Sequence, residues 1–453
     1  MAKKKQREDI INFTAEDRYV KPTDPAILKE LEWFKDQKLA FMVHWGVYSE
    51  MGMCESWPLS DGDAYWARKG VNWVEDGEDM RKKYFAMNKT FNPLRFNPDE
   101  WADFAKAAGF RYFIFTTKHH DGFCMYDTKY SDYKVTAEDC PFHTHKYANI
   151  AKVLFDAFRK RGIAIAPYFS KPDWHCPWYW APDCEKPIAY DRNPTYDPEE
   201  RPDLWDKYVE FTHNQLTEIA EELGPVKILW LDGGQVNPAN GQDVRLRDLA
   251  PKLREKFPGL LFADRTVGGE FENYITPEGM YPDHIMDVPW ESCIPVGGGF
   301  AFTFDADYHT PRELAHMLIK VTTRGGNLAL NLGAQPDGRL PRHGMEAALG
   351  LGRWLSVYGE AIYETRAART SLEADDWGFN TKADSVYAIK PLGEKEFPRA
   401  ETLIPWDKPV KKAVFVKTGE EIPFENTEKG VLVTLPLAYR NGEEYAIVVK
   451  LDM

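Results

Sequence analysis

The chain has 453 residues, of which 43% are hydrophobic and 28% are charged, which is the balance of a soluble globular protein with one large and one smaller domain. Its formal net charge of −14 disfavours nucleic-acid and lipid partners, because an acidic surface repels phosphate groups. The sequence has no apolar run of about 20 residues that would cross a bilayer, and Met1–Glu16 lacks the apolar segment of a secretory signal. We therefore expect a cytoplasmic protein that binds neither nucleic acid nor membranes.

The cysteine pattern argues against a metal or disulfide framework. The six cysteines are scattered and form no C-x-x-C pair, so free thiols are expected. They are Cys54, Cys124, Cys140, Cys176, Cys184 and Cys293. We expect no metal ion and no other cofactor, and nothing in the sequence indicates an oligomeric state.

Short apolar runs alternate with amphipathic stretches along the first 360 or so residues. Strands are predicted at Leu39–Gly46, Tyr112–Lys118, Ile163–Ser170, Val226–Asp232, Leu260–Arg265 and Asn327–Gly333. Helices are predicted at Asp99–Ala108, Ala148–Arg161, Asp203–Leu223, Val244–Phe257, Arg312–Thr323 and Met345–Tyr358. Near-continuous apolar strands between helices indicate a parallel sheet covered on both faces. At this length, closure into a (β/α)8-like TIM barrel over residues 1–365 is the economical arrangement.

The pattern changes near residue 366, where short alternating stretches replace the long apolar runs. These stretches are Ser385–Ile389, Lys412–Val416, Gly430–Leu435 and Glu444–Val449. They predict a small C-terminal antiparallel β-sandwich over residues 366–453.

Polar and aromatic residues collect where the predicted barrel strands end, and active sites of such barrels lie at that edge. The ends are His44-Trp45, Lys118–Asp121, Lys171–His175 and Trp230–Asp232. Asp232 shares one face of its strand with Trp230, and the glycine that follows, Gly233, lets the backbone turn away from the carboxylate. Position alone leaves two interpretations of Asp232, a catalytic carboxylate or a helix cap or ion-pair partner.

Histidines at these strand ends also allow two interpretations. His44, His119, His120 and His175 could hold the metal ion of a hydrolase. The chain has no H-E-x-x-H helix, so neutral imidazoles that bind sugar hydroxyls are favoured over metal ligands.

Four tryptophans lie near the strand-end loops and are candidate platforms for the apolar face of a sugar. They are Trp45, Trp57, Trp174 and Trp290. The alternative for each ring is a hydrophobic plug in the mouth of the barrel.

Glycoside hydrolysis needs a second carboxyl group besides Asp232. The loops after Arg265 offer Glu270, Glu272, Glu278 and Glu291. Glu291 is slightly favoured, because the neighbouring Trp290 would desolvate it and raise its pKa, which suits a proton donor. Glu55, on the first loop, is a further acid near the site.

Seven ordered blocks between Trp33 and Trp377 resemble glycoside hydrolase family 29, the α-L-fucosidases. The blocks are His44-Trp45-Gly46, Lys118–Phe123, Tyr168–His175, Trp230–Gly233, Trp290–Cys293, Gly325–Asn331 and Gly359–Tyr363. The resemblance implies a retaining exo-glycosidase that acts on fucosylated oligosaccharides or glycoconjugates, with Asp232 as its nucleophile.

The same resemblance implies roles for further residues. His44, His119, His120 and Trp230 match contacts to the fucose hydroxyls, and Arg265 matches an arginine near the nucleophile. The acid/base stays open, because Glu278 and Glu291 each match one placement used in the family. The segment Gly297–Phe302 departs from the usual W-G-Y, so the aglycone side is expected to differ. The alternatives are a related α-L-galactosidase and a non-catalytic fucose-binding protein.

Overall fold

A computed structural model describes residues 13–61, 65–68, 77–182, 190–374, 376–440 and 443–453. Seven parallel strands form its central sheet in the order β5-β4-β3-β2-β1-β7-β6. The strands are β1 Leu39–Val43, β2 Tyr112–Lys118, β3 Ala164–Ser170, β4 Ile228–Asp232, β5 Leu261–Asp264, β6 Glu291–Pro295 and β7 Asn327–Asn331. All seven are almost wholly buried, as expected for parallel strands with helices outside and side chains inside the barrel.

Eight helices accompany these strands in the described ranges. They are α1 Pro25–Gln37, α2 Gly77–Phe85, α3 Pro98–Ala107, α4 Ile150–Lys160, α5 Pro202–Glu222, α6 Leu246–Lys256, α7 Pro311–Thr322 and α8 Arg342–Tyr358. The start of α7 is fixed by a capping box, in which the Thr310 side chain accepts from the Glu313 backbone and the Glu313 carboxylate accepts from the Thr310 backbone. None of these helices is long and apolar enough to traverse a membrane, within the part of the chain that the structure describes.

The connection between β5 and β6 spans the open edge of the sheet. Isolated bridges join Ala263 to Glu272, Ile275 to Trp290 and Glu278 to Cys293. This segment therefore runs between the two edge strands and brings Glu278 to the rim of the barrel.

Strand β6 was not predicted as a strand, since Glu291 was expected in a loop. Its sequence, Glu-Ser-Cys-Ile-Pro, lacks the apolar run of a buried strand, yet its first four residues are less than 9% exposed. The polar groups are tolerated because they are hydrogen-bonded: Glu291 accepts from two side chains, and the Ser292 hydroxyl donates to the Met280 carbonyl.

Antiparallel strands begin at Arg366. They are β8 Arg366–Ala367, β9 Gly378–Lys382, β10 Ser385–Pro391, β11 Glu401–Ile404, β12 Lys412–Phe415, β13 Glu420–Glu421, β14 Phe424–Thr427, β15 Gly430–Thr434 and β16 Ala446–Asp452. A sheet in the order β13-β12-β16-β10-β9-β8 faces one in the order β11-β15-β14 across a shared apolar core. The predicted barrel with a C-terminal β-sandwich is confirmed.

The cysteines of the described ranges are free thiols, as expected. They are Cys54, Cys124, Cys140, Cys176 and Cys293. Cys184 lies outside the described residues.

Candidate active site

A cavity opens at the C-terminal ends of the barrel strands, where the sequence predicted the site. It encloses about 150 Å³, which equals the volume of roughly five water molecules in the liquid, so it suits one small ligand. The predicted site residues in its wall are His44, Glu55, Trp57, His119, His120, Trp230, Asp232, Arg265 and Glu278.

Asp232, the last residue of β4, combines an ionised carboxylate with access to the cavity. Its Oδ1 accepts from Arg265 Nη1 at 2.5 Å, its Oδ2 accepts from the Tyr168 hydroxyl at 2.5 Å, and its side chain is 16% exposed. Burial alone would raise the pKa of Asp232, but the Arg265 cation and the Tyr168 hydrogen bond hold it well below its ordinary value. The carboxylate is thus ionised at neutral pH and keeps one face toward the ligand space.

Gly233 explains how the backbone leaves this carboxylate accessible. Its φ is +89°, in the left-handed region that favours glycine, and a Cβ atom there would lie 2.3 Å from Cδ of Pro172. The chain can therefore turn immediately after Asp232 only because residue 233 has no side chain.

Arg265 holds two carboxylates side by side. Its Nη1 donates to Asp232 and its Nη2 donates to Glu278 Oε2, each at 2.5 Å. The planar guanidinium presents these two donors in a fixed fork. Glu278 is 43% exposed and Arg265 is 8% exposed, so the fork links the largely buried Asp232 carboxylate to a carboxyl group that meets solvent. Two neighbouring carboxyl groups on one cavity wall are the arrangement that a glycosidase needs.

The three cavity histidines are electrically neutral near pH 7. Burial lowers the pKa of His44, lowers that of His119 well below its usual range, and lowers that of His120 to about 4. The rings of His44 and His119 meet edge to face with centroids 5.7 Å apart. Neutral imidazoles both donate and accept, which fits the prediction that they face hydroxyl groups.

The four histidines of the alternative metal interpretation do not come together, because His175 lies elsewhere and stacks on Tyr133 with ring centroids 4.2 Å apart. A smaller group does exist. One donor atom each from His119, His120 and Asp232 lie within 4.8 Å of one another. This group has the donor types of a metal site, and it lies against the Arg265 cation.

Glu55 joins two loops of the cavity wall. It is 4% exposed, its Oε1 accepts from the Ala301 backbone at 2.6 Å, and its Oε2 faces the Cys54 thiol at 3.2 Å. Burial raises the pKa of Glu55 to about 7 despite these hydrogen bonds. The carboxyl group therefore exchanges its proton close to neutral pH.

Glu291 lies outside the cavity, which corrects the expectation that it is the favoured acid. It pairs with Asn327 at the start of β7, four residues from Asn331, whose side chain reaches His44. Four residues of strand correspond to about 13 Å. Glu291 is completely buried and accepts hydrogen bonds from the Tyr112 hydroxyl and from Trp230 Nε1. Its neighbourhood is the barrel core below the site.

The prediction that tryptophans form sugar platforms is wrong for three of the four. Their side chains are at most 1% exposed and lie behind the cavity wall. Trp45 packs against Phe96 and Trp101, and Trp174 stacks on Trp180 with centroids 5.1 Å apart. Trp290 lies at the opposite end of the barrel, where Nε1 donates to the Arg324 carbonyl. Trp57 alone of the four lines the cavity.

Sequence reasoning did not name several residues of the wall, among them Tyr168 and Arg192, and it placed Phe300 only within a segment expected on the aglycone side. Tyr168 had a detectable signal, because it lies two residues before the end of a predicted strand, on the same face as Ser170. Arg192 and Phe300 lie on long connections, whose path is set by tertiary packing and not by periodicity.

The chain was compared with known proteins. The family model described as "Alpha-L-fucosidase" matches residues 11–360. The chain is 28% identical to plasma alpha-L-fucosidase of Rattus norvegicus over 378 residues, which cover 79% of this chain and 76% of the relative. Alpha-L-fucosidase isoenzyme 1 of Paenibacillus thiaminolyticus matches with a TM-score of 0.77 at 25% identity, covering 94% of this chain and 99% of that one. Thermotoga maritima alpha-fucosidase in complex with fucose matches with a TM-score of 0.73 at 25% identity, covering 95% and 100%.

Proposed function

The chain belongs to the α-L-fucosidase family and hydrolyses terminal α-L-fucosides; we propose that it does so by double displacement, with Asp232 as nucleophile and Glu278 as acid/base. The observation that carries this assignment is the Arg265 fork, which keeps both carboxylates together on one cavity wall. A retaining glycosidase needs its two carboxyl groups about 5–5.5 Å apart, close enough to share one anomeric centre.

Asp232 is suited to attack because it stays ionised and is already oriented. Arg265 and Tyr168 fix its two oxygens and the side chain still lines the cavity. In the first step an Asp232 oxygen bonds to the anomeric carbon as the bond from that carbon to the leaving oxygen breaks. The Arg265 pair does not exclude this role, since the carboxylate is not closed off from the cavity.

Glu278 is suited to the second role because it meets both the cavity and solvent. It gives its proton to the leaving oxygen, and the resulting carboxylate then takes a proton from the water that attacks the fucosyl–Asp232 ester. Its side chain is 43% exposed, so the attacking water can reach it from bulk solvent. Glu291 lacks this access, and Glu55 is tied to Ala301.

The size of the cavity and the other residues that line it explain why one terminal sugar residue is bound there. The cavity holds a small ligand, three neutral imidazoles face it, and the ring of Trp57 offers an apolar surface. The natural partner is a fucosylated oligosaccharide or glycoconjugate whose remainder extends past Glu278 to solvent. Parallel assays with aryl α-L-fucoside and aryl α-L-galactoside measure how strictly the pocket requires the methyl group of fucose.

Two measurements test the mechanism. Proton NMR of early turnover should detect α-L-fucose before mutarotation, whereas initial β-L-fucose would contradict double displacement. Asp232→Gly should lose turnover of an aryl α-L-fucoside, and added azide should restore it by attacking the anomeric carbon from the vacated position, displacing the aryl group and giving β-L-fucosyl azide. The exposed Asp305→Gly is the matched control and should keep the parental rate. An Asp232→Gly protein with the parental rate would refute the nucleophile assignment.

A further inference from the structure

The side chain of Asn331 fixes which nitrogen of His44 carries a proton. Asn331 Nδ2 donates to the Phe300 carbonyl at 2.7 Å, and Asn331 Oδ1 lies 2.8 Å from His44 Nδ1. A carbonyl can only accept, so the amide nitrogen must face Phe300 and the amide oxygen must face His44. His44 Nδ1 is therefore the donor. In the neutral ring, Nε2 is left as an acceptor.

The hydroxyl of Ser56 fixes His119 in the opposite sense. Ser56 Oγ accepts from the Asp121 backbone at 3.0 Å and lies 2.6 Å from His119 Nδ1. Among the described residues, His119 Nδ1 is the acceptor available to the hydroxyl proton of Ser56. Ser56 therefore donates to Nδ1, and the ring proton of His119 resides on Nε2.

We propose that Asn331 and Ser56 are positioning residues that hold His44 and His119 in opposite tautomers, so that the two rings bind one sugar hydroxyl as acceptor and donor. The rings suit this task because both line the cavity and meet edge to face with centroids 5.7 Å apart. A hydroxyl between them accepts from His119 Nε2–H and donates to His44 Nε2. The identity of that hydroxyl as one of fucose rests on the proposed function.

Burial supports the fixed tautomers. His44 and His119 are each 5% exposed, and desolvation keeps both rings neutral, so neither becomes a double donor near pH 7. A site that pairs both the proton and the lone pair of a hydroxyl rejects groups with only one of these functions. Sites built to bind a hydroxyl reject the analogue lacking it by roughly 10⁴-fold. The pair would thus determine which sugar stereochemistry the cavity accepts.

The tautomers can be measured without any turnover. In protein labelled with ¹⁵N-histidine, protonated and unprotonated ring nitrogens differ widely in chemical shift, and His44→Gln and His119→Gln variants assign the signals. We expect protonated Nδ1 for His44 and protonated Nε2 for His119. The same tautomer in both rings would overturn the proposal even if the protein is a fucosidase. In contrast, opposite tautomers in a protein inactive on α-L-fucosides would overturn the proposed function alone.

Kinetic measurements then test whether the two rings bind the same sugar hydroxyl. Aryl α-L-fucosides with one hydroxyl replaced by hydrogen or fluorine should include one position at which both replacements reduce kcat/KM by roughly 10⁴-fold, because fluorine cannot donate. Ser56→Ala should shift the His119 signals toward a mixture of tautomers. At the same sugar position, the ratio of kcat/KM for the parent fucoside to kcat/KM for its deoxy or fluoro analogue should shrink at least about tenfold. Ser49→Ala is the matched control, since this buried hydroxyl on the same loop donates to the Gly46 carbonyl and, among the described residues, forms no hydrogen bond to either ring. An unchanged ratio and unchanged His119 signals in folded Ser56→Ala would refute the role of Ser56.

Discussion

Exchanging each candidate acid for its amide separates Glu278 from Glu291. Glu278→Gln keeps the size of the side chain but removes the transferable proton. General acid–base catalysis contributes about 10²–10⁴-fold, so kcat/KM on a disaccharide substrate should fall within that range. The fall should be smaller for a nitrophenyl fucoside, whose leaving group needs no proton. Azide should restore turnover of Glu278→Ala on this substrate and yield α-L-fucosyl azide, because azide needs no base to attack the fucosyl ester.

Glu291→Gln is the matched control, because the barrel core can accept an amide at that position. The amide oxygen can accept from Trp230 Nε1, and the amide nitrogen can donate to the Tyr112 hydroxyl. We expect kcat/KM close to the parental value and no effect of azide. Azide rescue of Glu291→Ala with none for Glu278→Ala would refute the assignment, and so would a loss of activity confined to Glu291→Gln.

Glu291→Gln should also change how the free energy of unfolding depends on pH. Burial raises the pKa of Glu291 to about 7, whereas in the unfolded chain it has its ordinary value. The native state therefore binds the proton more tightly, and this stabilisation is complete below about pH 4.5 and lost as the pH rises to 7. The loss amounts to about 3 kcal/mol. Glu291→Gln does not titrate and should not lose this stabilisation. Measured by urea unfolding, the free energy of unfolding of the variant minus that of the parent should therefore increase by about 3 kcal/mol between pH 4.5 and 8. A constant difference would mean that Glu291 is ionised in the native core.

Three further predictions concern the walls of the cavity. Gly233→Ala should cost about 1–2 kcal/mol of stability and at least about 100-fold in kcat, because its Cβ would meet Pro172. Gly269→Ala, at φ +85° with open space around its Cβ, should lose stability in urea but keep kcat. Arg265→Lys cannot hold both carboxylates, so the pKa of Asp232 should rise. The acidic limb of the pH profile of kcat/KM should then move to higher pH, and a limb that does not move would contradict the role of Arg265 in keeping Asp232 ionised. Excess chelator should leave kcat unchanged and metal analysis should find no stoichiometric ion; activity that disappears and returns with added Zn²⁺ would support the His119, His120 and Asp232 metal site.

The elements that could be predicted are those whose burial is visible in periodicity. Six barrel strands carry long apolar runs, and each was predicted to within a few residues. Strand β6 could not be predicted, because its buried polar groups are satisfied by partners far along the chain. Tyr112 is 179 positions from Glu291 and Trp230 is 61 positions away. Local sequence contains no information about such partners.

The site divides in the same way. Asp232 is the last residue of its strand and His120 follows closely after its own, so the rule that barrel strands converge at one edge brings them together. Glu278 and Phe300 lie on long connections, and contacts with residues distant in sequence fix their positions, such as the bridge from Glu278 to Cys293 and the hydrogen bond from Asn331 to the Phe300 carbonyl. Trp45 was misjudged because a tryptophan at a strand end can turn behind the sheet as readily as into the cavity.

Electrostatics favours the sugar interpretation over the metal interpretation of the same three residues. Neutral imidazoles and a carboxylate suit either ligand, so the pKa values of the histidines do not discriminate. The position of Arg265 does, because its guanidinium lies 2.5 Å from Asp232 Oδ1 and already neutralises the one anion of the group. A divalent cation would have to bind against that fixed positive charge with two neutral ligands. A neutral pyranose meets no such repulsion, and at its anomeric carbon the carboxylate encounters positive charge only as the transition state forms.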